Sequence, residues 1–202
     1  MKPTAIVFDV GNVLYGWDPH AFLARQLPED EARLRFIEDV GLWDWHETLD
    51  GGRPFDEAAA ELSEKFPDYA AYIAAWGERF GETISDPVPG VHAIVDELDA
   101  RGVPLFAITN FSAEFWAPFR AREDAFFSRF RDIVVSGEEK LLKPDPAIYY
   151  RALHRFGLKP DEALFVDDRL INVEGAEAVG MRGHVFTDAD GLRRRLVDEG
   201  LL

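Results

Sequence analysis

The chain has no cysteine among its 202 residues. That excludes a disulfide framework, a thiol nucleophile and a thiolate metal site, and it suits a reducing compartment. Long apolar runs are missing too: no stretch approaches the roughly 18 residues a membrane helix needs, so no membrane association is expected. The early apolar run Ala5–Val10 is too short for a secretory signal and lacks its small-residue cleavage site. These absences predict a cytoplasmic protein. Basic residues are scarce, 22 Lys and Arg against 38 Asp and Glu, for a formal net charge of −16. Such a surface repels phosphate backbones, and no nucleic-acid partner is expected. A small anionic ligand would need one local positive site, built from a metal, a lysine or backbone N–H groups. Internal repeats and low-complexity tracts are also absent.

The rest of the composition is that of a globular protein, 47% hydrophobic and 30% charged, and its length is enough to bury a full core. Short β-like runs recur at Thr4–Val10, Val103–Asn110, Asp132–Ser136, Ala163–Asp168 and Gly183–Thr187. Helical periods fill His92–Arg101, Pro146–Phe156 and Ile171–Val179. Alternation of this kind predicts an α/β fold, a doubly wound parallel sheet of Rossmann-like type. Ligands of such sheets bind beyond the carboxyl ends of the strands. One segment breaks the pattern. From about Tyr15 to Asp86 no strand is evident, only amphipathic stretches at Glu29–Val40, Asp56–Lys65 and Asp68–Phe80. It ends at Ser85-Asp86-Pro87-Val88-Pro89-Gly90, which reads as a linker. The expected organisation is a core of residues 1–14 and 87–202 with a helical cap domain inserted at 15–86.

Three predicted strand ends and one loop carry unusual residues. Phe8-Asp9-Val10-Gly11 stops an apolar run at an aspartate, which alone serves as readily for a turn or a cap as for catalysis. Ile108-Thr109-Asn110-Phe111-Ser112 brings a hydroxyl and an amide to the start of a helix, where Ser112 or Asn110 could act as an N-cap. Phe165-Val166-Asp167-Asp168, followed by Asn172 and Gly175, ends a buried strand in adjacent carboxylates. These repel one another unless they are solvated or a cation is near. Leu142-Lys143-Pro144-Asp145-Pro146 sets a lysine before a helix with proline in its first turn.

Taken together, in this order and spacing, the four motifs resemble the haloacid-dehalogenase superfamily, over essentially the whole chain. The helical insertion after the first motif looks like the cap of its subfamily I. The Asp9-Val10-Gly11-Asn12-Val13 form is similar to a group that includes an α-glucose-1-phosphate phosphatase. The resemblance implies a Mg²⁺-dependent phosphatase acting on a small phosphorylated metabolite, with Asp9 as nucleophile. Mg²⁺ would then be held by Asp9, the Gly11 carbonyl, Asp168 and waters, with Asp167 in or near the second shell. Thr109 and the Asn110 N–H would bind the phosphoryl oxygens, and Lys143 would bridge them to Asp9. An all-oxygen site suits a hard cation, and the ammonium suits charge spread over the transferring phosphoryl group.

One position departs from that pattern. Phosphatases of the superfamily mostly carry a second aspartate two residues after the nucleophile, as acid and base for the leaving group; here Gly11 stands there. Such help contributes about 10²–10⁴ in rate. Either the leaving group departs readily, as from an anomeric sugar phosphate, or another residue substitutes, with Asp18 and His46 as candidates. Two alternative functions remain: a 2-haloacid dehalogenase, whose halide needs no proton, and a non-catalytic binding or regulatory relative. Relatives of the first kind usually have serine at the position of Asp167, no acid at that of Asp168, and threonine where Val13 stands. Specificity candidates are Trp17, Asp18, Trp45, His46 and Arg53, with Phe111, Phe115 and Trp116 as further cavity-lining candidates.

Overall fold

The structure, a computed structural model, describes residues 2–202. Its strands are β1 (Ala5–Phe8), β2 (Tyr15–Trp17), β3 (Ile84–Pro87), β4 (Leu105–Thr109), β5 (Asp132–Val135), β6 (Ala163–Asp167) and β7 (Arg182–Val185). Five of them form one parallel sheet in the order β5-β4-β1-β6-β7. The three central strands are buried along their whole length, which is why they read as continuous apolar runs.

Alternation along each strand divides these residues between two faces. Ile6, Phe8, Leu105, Ala107, Leu164 and Val166 join one apolar cluster with the helices Val91–Ala100 and Ala189–Glu199. Ala5, Val7, Phe106, Ile108, Ala163 and Phe165 join the other with Pro146–Phe156 and Leu170–Ala178. The sheet is thus doubly wound, as the sequence predicts. The chain runs from β1 out through β4 to β5, then crosses back to β6 and β7, so the order reverses at β1. The carboxyl end of β1, between β4 and β6, is the crevice where ligands of such sheets bind.

The helices have local causes. Asp145 caps Pro146–Phe156 by accepting the Ala147 N–H at 2.8 Å, Pro146 opens it, and Gly157 ends it at φ 67°. Asp188 caps Ala189–Glu199 through the Gly191 N–H at 2.7 Å. Helices Leu42–Asp50 and Ala189–Glu199 are additions to the sequence-based expectation.

Between β2 and β3 lie five α-helices: Pro19–Gln26, Asp30–Val40, Leu42–Asp50, Phe55–Lys65 and Ala70–Glu78. The expectation that no strand occurs in residues 15–86 is corrected. β2 and β3 pair antiparallel as a two-stranded ribbon at the root of the helical segment, and β3 takes up the start of the expected linker. The ribbon escaped notice because Tyr15-Gly16-Trp17 is too short to show a period, and Pro87 masks the other strand. Gly16 lies close against the facing strand: a Cβ at that position would fall 2.1 Å from Ser85 Oγ, so the serine side chain would have to turn away.

Gly175 has a similar reason. A Cβ on it would fall 2.9 Å from the Pro144 carbonyl oxygen and 3.1 Å from the Tyr149 ring, so its helix packs directly on the loop that carries Lys143. Gly175→Ala is expected to lower stability by about 1–3 kcal/mol, the usual cost of overpacking. Denaturant unfolding checks this, and an unchanged midpoint would contradict the close packing.

Candidate active site

Asp9 follows β1, Thr109 ends β4 and Asp167 ends β6, so the parallel register alone delivers three motifs to one edge. Lys143 completes the group. Its side chain is buried, with Nζ 3.0 Å from Asp9 Oδ1 and 2.6 Å from Asp167 Oδ2. The loop carrying it is clamped from β4: Asn110 Nδ2 donates to the Lys143 carbonyl at 3.0 Å, and the Lys143 N–H donates to Asn110 Oδ1 at 2.9 Å. The Asn110 side chain therefore positions the lysine, a task the sequence did not reveal.

Asp167 is fully enclosed by donors. Besides Lys143 it accepts the Arg169 N–H at 2.9 Å and Asn172 Nδ2 at 3.0 and 3.1 Å on its two oxygens. Tyr149 Oη in turn donates to the Asn172 carbonyl at 2.7 Å. Asp168 accepts from Asn12 Nδ2 at 3.3 Å, and Asn12, at φ 55°, takes the Trp17 N–H on its Oδ1 at 3.0 Å. Asn12 thereby ties the carboxylate of the fourth motif to the start of the helical segment.

Electrostatics sort these acids. Burial, with Asp167 and Asp168 adding to it and Lys143 opposing, pushes the Asp9 carboxyl up to about 7. Burial also acts on Asp167, but the Lys143 ammonium and the N–H donors hold it below the usual carboxylate range. Burial disfavours the Lys143 ammonium, yet Asp9 and Asp167 keep its pKa above the ordinary value. Asp168 is raised by burial and by Asp167. Asp9, Asp167 and Asp168 offer oxygens within 4.8 Å of one another, an excess of negative charge that one ammonium does not balance. A hard divalent cation fits that donor set.

The group opens into a cavity of about 400 Å³. Asp9, Gly11, Asn12, Thr109, Asn110, Lys143, Asp168 and Arg169 line it from the sheet edge. Trp17, Trp43, Asp44, His46, Glu47, Asp50 and Phe80 line it from the helical segment, and Phe111 closes one side. Of the specificity candidates, Trp17 and His46 line this cavity, stacked with ring centroids 5.7 Å apart. Three other specificity candidates do not. Trp45 turns into the helical segment and donates its Nε1 to the Ala58 carbonyl, Arg53 pairs with Glu61, and Asp18 caps Pro19–Gln26 through the Ala21 N–H. Phe115 and Trp116 belong to the aromatic core, Phe115 stacked on Phe80 and Trp116 against Phe127.

Asp50 is a site residue the sequence reading missed. It ends the helix Leu42–Asp50, where a carboxylate opposes the helix dipole. Burial pushes its carboxyl up to about 7, Glu47 and Asp9 add to this, and the Ser112 N–H and Lys143 oppose it. His46 Nε2 lies 3.7 Å from its Oδ2, and burial lowers the imidazole to about 4, so His46 stays neutral at neutral pH. A signal for this face existed: Trp43, His46, Glu47 and Asp50 are spaced i, i+3, i+4, i+7, beside the Leu42, Trp45 and Leu49 stripe.

The fold and these strand-end groups define a hydrolase of haloacid dehalogenase-like architecture. The chain belongs to that family: the haloacid dehalogenase-like hydrolase pattern matches residues 3–180. It is 27% identical over 191 residues to a sesquiterpene phosphatase of Aspergillus oryzae, covering 92% of this chain and 90% of that protein. A predicted HAD-like family hydrolase of Porphyromonas gingivalis superposes with a TM-score of 0.71 at 22% identity, covering 97% of this chain and 98% of that one. A HAD family enzyme of Bacteroides thetaiotaomicron, solved in complex with magnesium and inorganic phosphate, gives 0.67 at 19% identity, covering 92% and 95%.

Asp50 and His46 oppose each other in the pH dependence of stability. Asp50, raised in the folded state, contributes stability that is present at low pH and lost as pH rises toward 7. His46, lowered in the folded state, contributes stability present above 6.5 and lost as pH falls toward 4. Between pH 6.5 and 4, acidification is expected to lower the stability of Asp50→Asn relative to the parent by roughly 3 kcal/mol, and to raise that of His46→Asn by a similar amount. Chemical denaturation across this range checks it; three parallel curves would contradict it.

Proposed function

We propose that the protein is a Mg²⁺-dependent phosphatase that hydrolyses a small phosphate monoester through an aspartyl-phosphate on Asp9. The observation that carries this reading is the Lys143 ammonium, buried between Asp9 and Asp167 on the floor of one cavity. Lys143 favours the ionised form of Asp9 against burial and the neighbouring carboxylates, aligns it, and offers its remaining donor capacity to the incoming phosphoryl oxygens. Thr109 Oγ1 and the Asn110 N–H serve the same oxygens at the carboxyl end of β4. Asp9, Asp168 and the Gly11 carbonyl would hold the cation, with Asp167 behind them holding Lys143. When bound, Mg²⁺ supplies charge neutralisation for two like-charged reactants.

Asp9 attacks phosphorus in line with the departing oxygen, and water then cleaves the acyl phosphate to regenerate Asp9. Residues 15–86 act in this reading as a cap over the core formed by 1–14 and 87–202, excluding water during transfer. Aromatic rings at Trp17, Trp43, His46 and Phe80 give the cap side of the cavity an apolar surface for a small organic group. The related phosphatase and the neighbour that binds magnesium and phosphate support the same chemistry. The carboxylates of Asp167 and Asp168 speak against a metal-free dehalogenase. Gly11 supplies no acid, so the leaving group either departs readily or receives its proton from elsewhere.

Phosphate release from a panel of monoesters tests this. Activity is expected with Mg²⁺, lost in EDTA, restored by Mg²⁺, and reduced at least ~10³-fold in Asp9→Asn. Chloride release from 2-chloropropionate in EDTA would overturn the reading in favour of a dehalogenase. Phosphate binding with no turnover of any ester would overturn it in favour of a binding protein.

A further inference from the structure

We propose that Asp50 is the acid and base that Gly11 is not: its carboxyl protonates the departing oxygen and its carboxylate then activates the hydrolytic water. The inference rests on the phosphatase reading and deepens it. Five carboxylates line the cavity. Asp9 and Asp168 are engaged at the sheet edge, while Asp44 and Glu47 are exposed to solvent. Asp50 is the fifth, on the opposite wall, with its side chain only 14% exposed. A Cβ at Gly11 would meet nothing within 4 Å, so the space beside the nucleophile is open for a leaving group to extend toward that wall.

Asp50 is held by the phosphate-binding loops. Ser136 Oγ, just past β5, donates to the Asp50 carbonyl at 2.6 Å and accepts the Phe111 N–H at 2.9 Å. The turn after Asp50 closes on the same place. Gly52 has φ +92°, and a Cβ there would lie 2.7 Å from the Gly137 carbonyl oxygen; one on Gly137 would lie 2.5 Å from the Ala113 N. Two glycines thus allow the end of the helix Leu42–Asp50 to press against the loop that follows Thr109 and Asn110. No other acid of the helical segment has such a tie among the described residues.

The two candidates read from the sequence do not fill the role. Asp18 is outside the cavity and bound to a helix N-terminus, and His46 is neutral with a buried Nδ1 that has no hydrogen-bond partner. Asp50 instead has both forms available near neutrality. Burial, Glu47 and Asp9 raise it, while Lys143 and the Ser112 N–H oppose them. The proton balance closes. As Asp9 bonds to phosphorus and the phosphorus–oxygen bond to the leaving group breaks, the Asp50 proton passes to that oxygen and an alcohol departs. Asp50 then takes a proton from water as the water oxygen bonds to phosphorus. The phosphorus–oxygen bond to Asp9 breaks, leaving phosphate and both carboxyls in their starting states. Unactivated alkyl phosphates are therefore substrates, and an easily departing group is not required.

The test compares p-nitrophenyl phosphate, whose phenolate leaves unaided, with glycerol phosphate, whose alkoxide does not. Asp50→Asn is expected to lower the first-turnover rate of alcohol release from glycerol phosphate about 10²–10⁴-fold. On p-nitrophenyl phosphate the first-turnover release of the phenol is expected to stay within about tenfold of wild type, with orthovanadate binding retained. Steady-state turnover falls on this ester too, because the base for the water is gone. An equal loss of the first-turnover rate on both esters, or no loss on either, would overturn the proposal. Wild type gives an answer without any variant: its rate should change little from phenyl to alkyl esters, and a steep dependence on the leaving group would overturn the role of Asp50. If wild type hydrolyses no ester at all, the phosphatase reading itself fails, an outcome distinct from the others.

Discussion

The Lys143 ammonium has almost no contact with solvent, and a buried cation is stable only among anions and acceptors that replace water. Asp9 and Asp167 meet that requirement from two neighbouring strands, and much of the surrounding structure keeps the three groups in register. Asn110 clamps the lysine backbone, Asn172 and the Arg169 N–H hold Asp167, and Gly175 lets its helix approach the Lys143 loop. Removing either carboxylate would leave the ammonium with half its counter-charge. The same constraint explains the second ionic feature. With Lys143 committed to two partners, Asp168 and part of the charge on Asp9 stay unbalanced, which is the condition for holding a hard cation.

A second constraint operates across the cavity. The helical segment is joined to the core by the β2–β3 ribbon, by Asn12 between Asp168 and Trp17, and by Ser136 between Asp50 and Phe111. These ties set an acidic and aromatic wall opposite a floor that carries the nucleophile and the ammonium. On a strongly negative surface, that buried ammonium and the neighbouring backbone N–H groups are the local positive site that the proposed phosphate substrate requires.

The sheet was legible because its central strands are buried on both faces and therefore continuous in sequence, and their ends coincide with Asp9, Thr109 and Asp167. The ribbon was not, since three- and four-residue strands leave no period. In the site, the residues at strand ends stand in the four motifs whose order carries the family resemblance, and the structure brings them to one edge. Roles fixed by tertiary contact were not legible: Asn12 acts through a left-handed turn, and the Asn110 side chain through a loop 33 residues away. Asp18, Trp45 and Arg53 were attractive as polar or aromatic residues near the right segment, but each had a local partner that took it from the cavity. Asp50 went unnoticed because an aspartate before two glycines looks like an ordinary helix end. Only its approach to the loops after β4 and β5 gives it another meaning.

The central claim is that Asp9 bonds to phosphorus. Rapid acid quench of the Mg²⁺-loaded enzyme with a labelled phosphate ester, followed by borohydride reduction and peptide mapping, addresses it directly. The account predicts label on the peptide containing Asp9, appearing before free phosphate accumulates, with residue 9 recovered as homoserine. Phosphate released at full rate with no covalent label on that peptide would contradict it.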